Sequence, residues 1–125
     1  MRAKLINETY GFERGANPLK NLNIGLRQQI IDWLDSMEIT NYTINDDLTI
    51  DGKNVDISHK SLTHFPKFIK FKHVDGNFYC HDNSLISLEG CPSSVGGKFY
   101  CHDNSKKFTE EYVRSLCNVK GYIYV

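Results

Sequence analysis

Two nearly identical nonapeptides carry the side chains of this sequence that could do chemistry. GNFYCHDNS begins at Gly76 and GKFYCHDNS begins at Gly97, so eight of nine residues agree across a spacing of 21. Each copy places a cysteine, a histidine and an aspartate side by side. Thiolate, imidazole and carboxylate are ligands of protein-bound zinc, and a cysteine beside a histidine can form a nucleophilic pair. The duplication predicts either a site built from two halves or one structural unit stacked on itself.

The geometry of a β-strand favours the stack. Neighbouring residues of a strand point to opposite faces, so Cys80 faces away from His81, and Cys101 faces away from His102. Four such side chains do not converge on one ion, and the C-H…C-H spacing is not a usual zinc spacing. The same argument disfavours a Cys/His nucleophilic pair. We therefore expect two buried thiols, no catalytic residue, no cofactor and no bound metal.

The outward residues of the same strands form the candidate binding surface, which we expect on the concave side of the sheet. Tyrosine gives a large contact area with few rotatable bonds and one polar group. An aromatic row that only supports the sheet is the competing interpretation. A metal or acid–base cluster on His81 and His102, with Asp82 and Asp103, is a less favoured alternative. The predicted surface consists of Asn77, Tyr79, His81, Lys98, Tyr100, His102, Tyr122 and Tyr124.

The nonapeptides belong to a longer repeat. The pattern F-x-C-x-x-N-x-L-x-x-L starts at Phe78, and its counterparts start at Val55, Phe99 and Ile123, so the steps are 23, 21 and 24 residues. A period of roughly 20–29 residues with this spacing is typical of leucine-rich repeats. Each unit should add one short strand to a parallel sheet and stack on its neighbours. We expect Asn83 and its counterpart Asn104 to bond the backbone of their own and adjacent units.

Other short segments add local expectations. Gly76, Gly97 and Gly121 each precede a strand, where we expect the chain to bend tightly. The segment FTEEYVRSLC predicts a helix that returns the chain to the next strand. Its apolar face should consist of Phe108, Tyr112, Val113 and Leu116.

The chain divides into three regions by pattern, within a single compact α+β (α/β) domain. Residues 1–25 are polar and predict an N-terminal arm, with Phe12 and Arg14 as candidate contacts. Residues 26–57 predict a capping region: a helix over 26–38, then a strand–turn–strand signal in LTIDGKNVDIS. Residues 47–125 predict the solenoid, with about three irregular repeat units.

Composition limits the classes of function. The 125 residues include 15 basic and 15 acidic side chains, and this balance disfavours a nucleic-acid partner. No apolar run approaches the roughly 20 residues of a membrane span, so we expect no membrane association. The first residues, MRAKLINETYGFERG, lack the apolar segment of a signal peptide, which predicts an intracellular protein with reduced cysteines.

The sequence resembles a class of small leucine-rich-repeat proteins encoded by tailed bacteriophages. The resemblance rests on the N-terminal LINETYGFERGANPLKNLNIG, on IIDWLDSMEITNYTINDDLTIDG and on SLEGCP within the repeats, and it covers nearly the whole chain. It implies the solenoid fold and a viral origin, but no fixed activity.

We therefore expect a non-catalytic protein-binding module acting in the host bacterial cytoplasm. It would dock on a host protein, to inhibit a defence system or to redirect a host enzyme. The alternative is an accessory virion or assembly protein that uses the arm or the sheet edge, including homo-oligomerisation through that edge.

Overall fold

The first described element of the protein is a long helix. The computed structural model describes residues 18–125, so the rest of the predicted arm, with Phe12 and Arg14, lies outside the described residues. Helix α1 spans Pro18–Ser36 and begins eight residues before the predicted start at 26. Proline suits the first helical position because its missing N–H needs no partner there. Ile30 and Leu34 lie four residues apart on one face of this helix, and both are buried.

Nine short strands follow and form two sheets rather than the single sheet that the repeat predicted. One sheet has the order β1-β2-β4-β6-β8, and the other has the order β3-β5-β7-β9. Every pairing is parallel except β1 with β2. The strands are β1 Tyr42–Ile44, β2 Ile50–Gly52, β3 Val55–Asp56, β4 Phe71–Val74, β5 Phe78–Tyr79, β6 Ser94–Val95, β7 Phe99–Tyr100, β8 Asn118–Val119 and β9 Ile123–Tyr124.

The chain winds through these strands as a β-solenoid of about three turns, which connect four stacked pairs of strands. We call each pair a coil: coil 1 is β2 and β3, coil 2 is β4 and β5, coil 3 is β6 and β7, and coil 4 is β8 and β9. Each coil passes from the five-stranded sheet to the four-stranded sheet. The repeat pattern identified only the second strand of each pair, because the first strand carries less of the repeated sequence.

The predicted strand–turn–strand segment contains two strands that do not pair with each other. Strands β2 and β3 lie in different sheets, and β2 pairs antiparallel with β1 instead. The short connection after Gly52 is a corner of the coil, where Gly52 O accepts a bond from the Asp75 N–H of the next coil. Alternation predicted both strands correctly, because both turn apolar side chains into one core, but it could not identify their partners.

The core lies between the two sheets and confirms the predicted direction of the side chains. Phe78 and Phe99 are fully buried in adjacent coils, and Cys80 and Cys101 are buried free thiols behind them. The other fully buried side chains include Ile50, Val55, Ile57, Val74, Leu85, Leu88 and Val95.

The two repeated asparagines bond the coils together as predicted. The Asn83 side chain donates to Ile57 O of coil 1 at 2.8 Å and to Cys80 O at 3.2 Å. Its oxygen accepts from the backbone N–H groups of Lys60 and Leu62. Asn104 makes the equivalent donations one coil further on, to the backbone oxygens of Cys80 and Cys101. These bonds satisfy buried backbone groups that no strand pairing reaches.

The repeated glycines lie at bends of the chain, as expected, and they also allow close packing between coils. None of Gly76, Gly97 and Gly121 has the left-handed backbone that favours glycine. A Cβ atom on Gly121 would instead lie 2.6 Å from Gly97 O, and one on Gly97 would collide with the Asn77 amide oxygen. The coils therefore stack backbone on backbone at this corner, and only glycine leaves the space.

Helix α2 spans Glu110–Leu116 in the last return segment, as predicted. Thr109 caps it by accepting a bond from the Tyr112 N–H at 3.1 Å. Val113 is buried, but Leu116 is 40% exposed, so its place in the predicted apolar face was wrong. The buried stripe continues from Val113 to Cys117, four residues on, where the chain leaves the helix in an extended conformation.

Among residues 18–125, neither helix has the length and apolar character needed to cross a lipid bilayer.

Candidate functional site

The outward side of the four-stranded sheet carries the predicted residues, and we call it the Tyr/His face. Its members are Asn77, Tyr79, His81, Lys98, Tyr100, His102, Tyr122 and Tyr124. The parallel register places Tyr79, Tyr100 and Tyr124 opposite one another on β5, β7 and β9. The structure therefore brings the predicted residues of three successive coils onto one surface.

The three tyrosines form a continuous stacked row. The ring centroids of Tyr79 and Tyr100 are 4.7 Å apart, and those of Tyr100 and Tyr124 are 4.5 Å apart. The interplanar angles are 16° and 4°, so the rings are nearly parallel. This spacing matches the separation of paired strands, which is about 4.8 Å. Tyr122 lies beside the row, tilted by 35° against Tyr124, and is 71% exposed.

Two histidines stack in a second row beside the tyrosines. The rings of His81 and His102 are 4.6 Å apart and inclined by 10°. The Nδ1 atoms of both rings are buried and, within the described part of the chain, make no hydrogen bond. Burial lowers the pKa of His81, the neighbouring His102 lowers it further, and the Asp82 carboxylate acts against both. The His81 ring therefore loses its positive charge at a lower pH than an ordinary histidine does.

Asparagine side chains order the start of strands β5 and β7. The Asn54 side-chain oxygen accepts from the Asn77 N–H at 2.8 Å, and the Asn77 oxygen accepts from the Lys98 N–H at the same distance. The Asn77 amide also donates to the Tyr79 hydroxyl at 2.9 Å. Asn77 thus holds the next coil and fixes the polar end of the first tyrosine in the row.

A histidine that the sequence analysis missed joins this face at the turn after β3. His59, Asp82 and Asp103 occupy equivalent positions in three coils, with φ values of 56°, 53° and 55°. The segment ISHK aligns with CHDN when Ile57 is matched to Cys80, so the alignment of the divergent repeat could have identified His59. Its ring meets His81 edge-on, with centroids 5.5 Å apart and an interplanar angle of 80°.

Two groups of side chains at these turns have the composition of metal sites. One group is His59, His81 and Asp82, and the other is Asp82, His102 and Asp103. In each group one ligand atom from every residue lies within 4.8 Å of the others. The sequence had suggested one cluster of His81 and His102 with Asp82 and Asp103, but among residues 18–125 the two histidines fall in separate groups that share Asp82.

The four cysteines take no part in this face. All are free thiols, and three of them, Cys80, Cys101 and Cys117, are buried. Burial raises the pKa of Cys101 to about 12 and that of Cys91 to about 12. Because the thiolate is the nucleophile, these groups are not poised for nucleophilic chemistry.

A polar chain on the five-stranded sheet was also missed by the sequence analysis. The His73 ring contacts Ser94 Oγ through Nδ1 at 2.5 Å and Asp75 through Nε2 at 2.9 Å. Lys53 also bonds Asp75 at 3.0 Å and lowers the pKa of its carboxyl group. The order Ser–His–Asp resembles a hydrolase triad, but the carboxylate is exposed and already paired. A groove of about 710 Å³ on the return path, lined by Phe65, Ile69 and Cys91 among others, does not include these residues.

Comparison of the chain with protein-family models, with curated proteins and with solved structures gives no match.

Proposed function

We propose that the protein is a non-catalytic protein-binding module and that the Tyr/His face contacts its partner. The observation that carries this proposal is the stacked row of Tyr79, Tyr100 and Tyr124. Each ring is held by its neighbour at 4.5–4.7 Å, so little side-chain freedom is left to lose on binding. Rigid aromatic side chains with a polar tip are enriched among the residues that dominate binding energy.

The surroundings of the row support a protein partner. Lys98 is exposed beside the tyrosines, and the Asn77 amide is bonded to the Tyr79 hydroxyl. A stacked aromatic centre with polar neighbours resembles the apolar core and polar rim of protein–protein interfaces. The net charge of zero favours this class of partner over a polyanion.

The resemblance to phage-encoded leucine-rich-repeat proteins supports the biological part of the proposal. On that basis the partner is a host bacterial protein, met in the host cytoplasm, and the effect is inhibition of a defence system or of a host enzyme. The period of 21–24 residues and the buried asparagine support a relation to leucine-rich repeats. The first strand of each coil is a feature that this repeat pattern does not predict.

The test is capture of a partner from a host lysate, identification by mass spectrometry, and titration of the purified partner. The double variant Tyr79→Ala/Tyr100→Ala should weaken binding by roughly 30-fold or more, which corresponds to a loss of about 2 kcal/mol for the two tyrosines together. Circular dichroism of the variant establishes that it folds. The matched control is Ile86→Ala, because Ile86 is apolar and 63% exposed but lies on a return segment. Unchanged affinity in the folded double variant would refute the assignment of the Tyr/His face.

The exposed sheet edge favours a second candidate function, an accessory virion or assembly protein. Strand β9 stands at the edge of the four-stranded sheet, and Tyr124 and Val125 are exposed there. Edge strands offer unpaired backbone groups to another chain. A dimeric or larger mass in solution, together with the protein in purified particles, would support this function. A monomer that is absent from particles would exclude it.

A further inference from the structure

We propose that His59, His81 and Asp82 form a binding site for a zinc-class divalent cation. The three side chains come from two coils and meet at the turns that follow β3 and β5. This inference does not rest on the protein-binding proposal, because it requires no partner, although His81 also belongs to the Tyr/His face.

Two of the three distances between the ligand atoms are close to those around a tetrahedral ion, and all three lie within 4.8 Å. Bonds of about 2.0–2.2 Å from zinc to nitrogen and oxygen place neighbouring ligands about 3.3–3.5 Å apart. Asp82 Oδ2 lies 3.3 Å from His59 Nε2 and 3.9 Å from His81 Nε2. The first distance already matches the edge of the tetrahedron, and the second requires a shift of about half an ångström, well within side-chain rotation.

The backbone holds two of the ligands in place. His59 and Asp82 both have left-handed backbones, and the His59 N–H donates to Asp82 O at 3.1 Å. The Asp82 N–H in turn donates to His102 O at 3.1 Å. Three successive turns are thereby locked to one another, and the side chains of His59 and Asp82 leave the same side of the stack.

The histidine row holds the third ligand. The His81 ring is stacked on His102 and meets the ring of Tyr79 edge-on, with centroids 6.0 Å apart. His102 therefore orients His81 rather than sharing its ion. The His59 ring is inclined by 80° to His81, and its Nε2 atom lies 3.3 Å from the Asp82 carboxylate.

The ligand set selects the class of metal. Imidazole suits zinc, copper and nickel, whereas calcium and magnesium prefer oxygen ligands alone. Three protein ligands leave a fourth position open to water, as in zinc sites with an accessible ion. The His59 side chain is 68% exposed and leaves an entry path, whereas the His81 side chain is 18% exposed and forms the floor.

The test is calorimetric titration of the full chain with zinc chloride, supported by visible spectra with cobalt chloride as a probe of the ligand geometry. His59→Asn and Asp82→Asn are the informative variants, because asparagine tolerates the left-handed backbone of both positions. Two variants serve as matched controls. Asp103→Asn removes the equivalent carboxylate one coil further on, and His64→Asn removes an exposed histidine outside the cluster.

We expect one equivalent of zinc in the wild-type protein and in both controls. Loss of an outer-shell partner alone typically costs about 10–100-fold in metal affinity, so His59→Asn and Asp82→Asn should each bind at least about tenfold more weakly. The absence of saturable zinc binding would mean that His59 and Asp82 form only an ion pair with each other, and it would overturn the proposal. So would full affinity in His59→Asn, or a loss in Asp103→Asn or His64→Asn equal to that in His59→Asn.

Discussion

The two copies of the nonapeptide have almost the same sequence but different surroundings. Residues 76–84 lie in coil 2, between coils 1 and 3, and residues 97–105 lie in coil 3, between coils 2 and 4. The side chains point the same way in both copies. Their neighbours differ, because the divergent coil 1 borders only the first copy.

The differences appear at the equivalent aspartates and asparagines. Asp82 contacts His59 at 3.3 Å, whereas Asp103 is exposed. Asn83 is buried and accepts two backbone bonds, whereas Asn104 is half-buried and accepts one. Local sequence therefore sets which face a residue occupies, and the neighbouring coil sets what chemistry that residue meets.

The largest expected effect comes from the aromatic core of the two copies. Phe78→Ala should lower the free energy of unfolding by roughly 3–5 kcal/mol, as large-to-small changes in cores do. Phe99→Ala should lower the free energy of unfolding by a smaller amount, and the difference between the two variants should be about 1 kcal/mol or more. Within residues 18–125, Phe78 packs against Phe65, Phe71 and Phe99, whereas Phe99 has one aromatic neighbour. Each such pair is worth about 0.5–1.5 kcal/mol.

Urea denaturation of both variants measures this difference. Ile86→Ala is the control for an exposed apolar residue and should change stability by no more than about 0.5 kcal/mol. Equal losses in the two phenylalanine variants would mean that position in the stack does not affect the core.

A smaller effect is expected from the asparagines. Asn83→Ala leaves the N–H groups of Lys60 and Leu62 without their acceptor, whereas Asn104→Ala leaves only that of Leu85. An unsatisfied buried group costs about 1–3 kcal/mol, so the loss should be about twice as large at Asn83. Urea denaturation gives the totals, and faster amide hydrogen exchange at Lys60 and Leu62 identifies the cause. A greater loss at Asn104 would contradict the comparison.

The same comparison explains what the sequence could predict. Alternation and the repeat spacing placed Phe78, Cys80 and Asn83 correctly, because these depend on the local direction of a strand and on a repeated environment. The start of α1 at Pro18 was missed because the first turns of the helix do not pack on the core. Leu22 and Ile24 are exposed there, so the sequence shows no amphipathic pattern in this part of the helix.

Long-range pairing was harder to predict. The second sheet was missed because the strands that contain Val74, Val95 and Val119 share only a short apolar pattern. His59 was missed because its contact with Asp82 depends on stacking between coils whose sequences have diverged. A sequence repeat identifies the repeating units. Contacts between units of different sequence can be predicted only when the register in which the coils stack is also known.

The smallest expected effect concerns the two equivalent thiols. Burial, with the neighbouring thiols of Cys101 and Cys91, raises the pKa of Cys80 well above its ordinary value, and burial raises the pKa of Cys101 to about 12. A raised thiol pKa leaves less thiolate at any pH below it, and the thiolate is the reactive form. Neighbouring thiols oppose the negative charge at Cys80, whereas burial alone acts at Cys101. In the native protein at slightly alkaline pH, iodoacetamide should therefore modify Cys80 more slowly than Cys101.

Peptide mass spectrometry of timed samples gives the two rates, and the denatured chain supplies the control in which the two cysteines should react alike. The native difference should be modest, because both thiols are buried and must wait for local opening before the reagent can enter. Faster modification of Cys80 would mean that the environment of coil 2 is the more open one. That result would contradict the inference that the thiols beside Cys80 disfavour its thiolate.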